Sequence, residues 1–144
     1  MNKYYFKVND LPPKKSGSKS MWNTLKEAKR LVSLRQAALK EFDGQLPLER
    51  DIKITLIIHI LKNNHYVGDL DTFVTGICDG LMKIAPRSEL EGDFWSQSEY
   101  IDIHPEKFEI IKDDSDVISI QAEKVTGETK QQWYEVTVEG KNKK

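Results

Sequence analysis

The sequence predicts an α+β domain: a mixed β-sheet with two helices, in the order β-α-β-α-β-β, with a long irregular insert after the second helix. Three observations carry this reading. Apolar residues recur at helical spacing over about 24–42 and again over about 72–82. Asp51 to Leu61 (DIKITLIIHIL) alternates with the two-residue period of a strand. Runs rich in aromatic and β-branched residues open and close the chain, at Tyr4–Val8, Val117–Val125 and Trp133–Val138.

The first strand stops at Leu11-Pro12-Pro13, because proline has no N–H to give to a ladder. Lys14 to Ser20 (KKSGSKS) is a polar, glycine-containing loop. In the helix that follows, Leu25, Ala28, Leu31, Val32, Ala38, Leu39 and Phe42 form the apolar stripe, and Gly44 is its stop signal. In the central strand Ile52, Ile54, Leu56, Ile58 and Ile60 share one side. The other side turns apolar at Ile57, which predicts cover on both faces for at least half of its length.

The second helix carries Phe73, Val74, Ile77, Cys78, Leu81 and Met82 at helical spacing. It does so despite Gly76 and Gly80, each costing about 1 kcal/mol relative to alanine. Residues 83–109 hold Pro86, Gly92, Pro105 and many polar residues, and a loop of that length is usually functional or mobile. The last two strands are expected to pair as a hairpin through Thr126-Gly127-Glu128-Thr129. The 144 residues suit one domain, 1–140, with 141–144 as a disordered basic tail.

Composition narrows the class. With 38% hydrophobic and 31% charged residues the chain reads as globular. One cysteine, Cys78, excludes an internal disulfide framework and a multi-cysteine zinc site. The chain shows no signal-peptide pattern, and Leu56 to Leu61 is too short to span a bilayer, so a cytoplasmic location and no membrane partner are expected. Net charge is -1, but its distribution is uneven. Residues 1–40 carry ten Lys/Arg and two acids, a surplus of +8; residues 41–144 carry 12 and 21, leaving -9. Such asymmetry fits either a polyanion-facing side or a basic helix face salt-bridged to the rest.

The candidate chemistry lies in carboxylates. Asp69 and Asp71 flank Leu70 at a strand-to-helix junction. Asp71, Thr75 and Asp79 then follow at i, i+4 and i+8, along one helix face. Asp113 and Asp114 precede a strand. Carboxylates gathered together repel unless a cation neutralises them, and hard oxygen donors suit Mg²⁺ or Mn²⁺. The plainer alternative is a helix cap at Asp71 and an acidic turn at Asp113-Asp114-Ser115-Asp116. His59, His65 and His104 have no metal-ligand spacing, and His59 reads as a hydrogen-bonded strand residue. Phe94 and Trp95 read as bases-stacking candidates or, more plainly, as anchors of a small secondary core. No phosphate-binding glycine loop or serine-nucleophile motif is present.

The run from Asp69 to Leu81 (DLDTFVTGICDGL) resembles the signature of the RusA-like Holliday junction resolvases. That family carries an Asp-x-Asp-Asn pair, a lysine four residues after the second Asp, then Asp-Ala-Leu, and later an Asp-Asp pair before a strand. Lys112-Asp113-Asp114, the strands after it, Leu11-Pro12-Pro13 and the basic loop fit the same order, so the resemblance covers most of the chain. It implies a homodimeric, Mg²⁺- or Mn²⁺-dependent endonuclease that cuts branched DNA. Asp69, Asp71 and Asp114 would be its catalytic, metal-binding carboxylates, with Asp79 and Asp113 as supporting acids. Lys14, Lys15, Lys19, Arg30 and Lys124 would contact DNA. The chain departs from the pattern at Thr72, where the family has Asn, and at Thr75, where it has the functional Lys. Lys83, Arg87 or Lys124 would have to supply that charge. The alternative is a non-catalytic, dimeric DNA-binding or protein-interaction module of the same fold.

Overall fold

The computed structural model describes residues 2–15, 21, 22, 24–42, 47–64, 67–84 and 92–141. Lys19, Gly44, His65, Arg87 and residues 142–144 of the expected 141–144 tail lie outside them, while the Lys141 carbonyl accepts the Glu49 N–H at 2.8 Å. The elements are β1 (Asn2–Val8), α1 (Leu25–Glu41), β2 (Ile52–Leu61), α2 (Leu70–Gly80), the short helix α3 (Gly92–Trp95), two 3₁₀ turns (Ser98–Ile103 and Asp114–Asp116), β3 (Val117–Gly127) and β4 (Trp133–Gly140). This is the expected α+β class, and α1 begins and ends within a residue of the boundaries its apolar spacing predicts. No helix among the described residues is long and apolar enough to cross a membrane.

The four strands form one mixed sheet in the order β1-β4-β2-β3. β4 runs antiparallel to both β1 and β2, and β2 runs parallel to β3. The terminal hairpin is therefore not formed: β2 lies between β3 and β4. Burial goes with this order. Tyr134, Val136 and Val138 of the inner strand β4 are fully buried, and Tyr4, Phe6 and Val8 of the edge strand β1 slightly less so. β3 leaves Ile118 and Ile120 exposed and sits at the edge. The five residues 128–132 step past β2, a distance of about 10 Å at the usual strand spacing, which is within their reach.

Ile52, Ile54, Leu56, Ile58 and Ile60 are all buried with the inward residues of β4 and with Tyr4, Phe6 and Val8 of β1. The alternate positions Thr55, Ile57 and His59 are half-buried. Among the described residues no helix covers the face of Ile57, where the apolar pattern predicts cover; Ile57 there is half-buried. On that open face His59 Nε2 bonds Glu135 Oε2 at 2.6 Å and its ring stacks on Trp133 at 3.9 Å, which makes it the hydrogen-bonded strand residue expected.

The glycines of α2 are explained by what crosses it. A Cβ on Gly76 would fall 1.8 Å from the carbonyl oxygen of Pro13, and one on Gly80 would fall 2.7 Å from Leu34 Cδ2. The segment Leu11–Lys15 therefore lies directly on α2, and Lys15 N–H donates to the Thr72 carbonyl at 3.3 Å. In the insert, Trp95 is 2% exposed, packs against Trp22 at 5.5 Å and donates its indole N–H to the Trp22 carbonyl. It is a core anchor, the plainer of its two readings.

Candidate phosphodiester site at the start of the second helix

α2 begins at Leu70, two residues before the predicted start, so Asp69 rather than Asp71 is its N-cap. Asp69 makes no side-chain capping bond, which leaves its carboxylate exposed and its oxygens free of the helix. Asp71 sits in the first turn, also exposed, and accepts the Thr72 N–H at 3.0 Å. Thr72 Oγ1 donates to the Asp69 carbonyl at 2.7 Å and tightens the turn that presents both acids. Negative charge at this end is favoured by the helix dipole.

Two lysines converge on the residue just before this pair. Lys124 Nζ, from β3, donates to the Gly68 carbonyl. The Lys14 stem also lies against this glycine: a Cβ there would fall 2.9 Å from Lys14 Cδ and 2.9 Å from Phe73 Cζ. Lys14 is held from behind, because its backbone N–H donates to Glu27 Oε1 at 2.9 Å. The missing Cβ is what lets the Lys14 stem and the Phe73 ring approach so closely.

The remaining acids form a separate group. Asp79 is paired with Lys15 at 2.8 Å. Asp113 accepts the Ser115 N–H at 2.9 Å, and that bond, with a hydrogen bond to Asp114, holds its carboxyl below the usual range. Asp114 is shifted the other way, first by its hydrogen bond to Asp113, then by the charges of Asp113 and Asp79. The same two acids, Asp79 and Asp114, help burial push the Cys78 thiol up to about 11. Asp114 therefore stands with Asp79, at the far end of α2. Eight residues of helix separate Asp71 from Asp79, about 12 Å of rise. Among the described residues no group of three or more His, Cys, Asp or Glu gathers as a metal site.

No family model matches the chain, and no curated protein matches it.

The donor set at Asp69 and Asp71 nevertheless fits a magnesium-type ion. Mg²⁺ commonly takes one or two carboxylates and completes its shell with water and substrate phosphate. The fit is to a site finished by its ligand, not to a closed protein cage. Thr75, in the lysine position of the resemblance, turns its hydroxyl to the Asp71 carbonyl at 3.0 Å. Arg30 is 11% exposed and held between Glu27 at 3.4 Å and Asp10 at 3.8 Å, so its charge is matched inside the protein. The meeting of Lys14 and Lys124 over Gly68 was not legible from spacing, since 110 residues separate them. The only local signal is the glycine immediately before Asp-x-Asp.

Proposed function

We propose that the chain is a metal-dependent, structure-selective endonuclease of the RusA type, acting on branched DNA as a homodimer. The observation that carries this reading is the convergence of Asp69, Asp71, Lys14 and Lys124 on the N-terminal end of α2. Asp69 and Asp71 would hold Mg²⁺ or Mn²⁺, which when bound supplies Lewis-acid charge at a phosphate and lowers the pKa of water.

The protein's own part is positioning. Lys124 uses one donor on Gly68 and keeps two for a phosphate oxygen. That charge, beside the Asp69–Asp71 turn, would do the work that Thr75 cannot. The Lys14 stem, pinned beside it, brings a second positive charge to the same edge. A dimer would present two equivalent sites, matching the symmetry of a four-way junction.

One observation favours a second reading, a non-catalytic relative that binds branched DNA without cutting. Asp114 lies with Asp79 and Asp113, so the three-carboxylate set of the resemblance is not gathered at α2's start. The test is a labelled four-way junction beside linear duplex, with Mg²⁺, Mn²⁺ or EDTA, and with Asp71→Asn in parallel. Metal-dependent cutting of the junction that is lost in Asp71→Asn supports the nuclease. A band shift without cutting supports the second reading. Neither shift nor cutting removes both.

A further inference from the structure

We infer that the outer face of α1 is a second, separate contact surface for the phosphate backbone of duplex nucleic acid. The surface positions Lys26, Lys29, Ser33, Gln36 and Lys40 follow the three- and four-residue steps of a single helical stripe. Lys26, Lys29, Gln36 and Lys40 are exposed and Ser33 half-buried. The stripe holds three lysines and no carboxylate. No ion pair ties any of the three to an acid among the described residues.

The acids on α1 and in the segment before it do not cancel this charge. Glu27 is buried and engaged by Arg30 and the Lys14 N–H. Asp10 faces Arg30. Glu41, beside Lys40, lies off the stripe. The positive surplus of residues 1–40 is thus sorted by the fold. Arg30 and Arg35 turn inward, Lys14 goes to Gly68 and Lys15 to Asp79, and Lys26, Lys29 and Lys40 are left outward.

The dimensions suit a duplex. Lys26 to Lys40 spans about 21 Å at 1.5 Å per residue. That length reaches phosphates on both sides of a major groove about 12 Å wide. Lysines contact phosphate as mobile point charges and carry no sequence preference, so the surface would position DNA, not read it. The inference extends the nucleic-acid reading above and needs no cleavage.

The test measures duplex and junction binding by full-length protein in the Asp71→Asn background with EDTA, across a salt series. It compares Lys26→Gln/Lys29→Gln/Lys40→Gln with Lys53→Gln/Lys107→Gln/Lys130→Gln, three exposed lysines elsewhere and the same change in net charge. Glutamine keeps helix propensity close to lysine's, and circular dichroism checks the fold of both. The α1 triple should bind about ten-fold or more weakly, with a salt slope smaller by about three; the control triple should bind nearly as the parent does. Equal losses in both, no loss in either, or stripe-dependent binding to anionic vesicles but not to DNA would overturn the surface. If stripe-dependent binding is seen but the protein with Asp71 intact cuts nothing, the surface stands and the nuclease reading falls.

Discussion

Arg35 Nε donates to the carbonyl of Gly80, the last residue of α2, at 2.9 Å. The same guanidinium donates to the carbonyls of Ile103, His104 and Met82 and lies between the rings of Trp22 and Phe108. It is fully buried, and burial lowers its pKa to about 9, so it stays charged at neutral pH. Its compensation is carbonyl dipoles, the negative end of α2 and two aromatic faces. Arg35→Met fills the volume but orphans four carbonyls. It should cost on the order of 3 kcal/mol or more in urea unfolding. Arg35→Lys should recover little, since an ammonium cannot reach four acceptors in a planar fork.

Gly76→Ala separates propensity from packing. In an open helix it would gain about 1 kcal/mol. Here the new Cβ would sit 1.8 Å from the Pro13 carbonyl oxygen, a backbone atom that cannot swing away. The expected result is a net loss at or above the upper end of the roughly 1–3 kcal/mol typical of overpacking. Gly80→Ala meets flexible side-chain ends at Leu34 and Leu31 and should lose less. Thermal unfolding of the two variants checks the order.

Tyr134 is the buried tyrosine whose hydroxyl has no hydrogen-bond partner among the described residues. Burial raises its pKa well above the usual value, helped by Asp10 and opposed by Arg30. An unsatisfied buried hydroxyl costs stability, so removing it need not. Tyr134→Phe should be neutral or stabilising by about 1 kcal/mol, measured by denaturant midpoint at unchanged slope.

The open face of the sheet gives a pH signature. Burial pushes the Glu135 carboxyl up, but hydrogen bonds from His59 and Tyr5 outweigh it and hold the group below its usual 4.5. Because the folded value is the lower one, the unfolded chain binds the proton more readily. The stabilisation is present above pH 4.5 and is lost as pH falls through the lowered folded value. Glu135→Gln should flatten stability against pH in that acid window, read from urea midpoints. An unchanged acid slope would count against the network.

These variants also mark how far the sequence could be read. Period places α1 and β2, because each has a buried face that only one register satisfies, and aromatic and β-branched content places β4. Adjacency along the chain favours a β3–β4 hairpin, whereas β2 pairs with both and separates them. Nothing local announces this, since the inward residues of the edge strand β1 are buried much as those of β4 are. Gly76 looked like a cost because its reason, the Pro13 carbonyl, lies 63 residues away. Arg35 gave no sign of burial, as its acceptors are backbone carbonyls that no residue type announces. At the candidate site, Asp69 and Asp71 were legible as neighbours in sequence, whereas the partners of Asp114 depended on the direction of α2.

That direction makes the carboxylates separable by experiment. If the reactive end is the start of α2, Asp69→Asn and Asp71→Asn should each lower metal-dependent junction cutting by about a hundred-fold or more, as loss of a charge ligand does. Lys124→Met should lower cutting by a similar factor of about a hundred while leaving metal affinity nearly unchanged, because it acts on phosphate charge. Asp114→Asn should act differently. It removes the carboxyl that Asp113 and Asp79 push up, and Asp79 lies about 12 Å of helix from Asp71. Its effect on cutting should be smaller than that of either N-terminal acid. Single-turnover cutting rates and Mn²⁺ titrations with DNA present measure both quantities. A loss in Asp114→Asn equal to that in Asp71→Asn would mean that the acids at the two ends of α2 act together in the DNA-bound protein, and the site would have to be redrawn to include both.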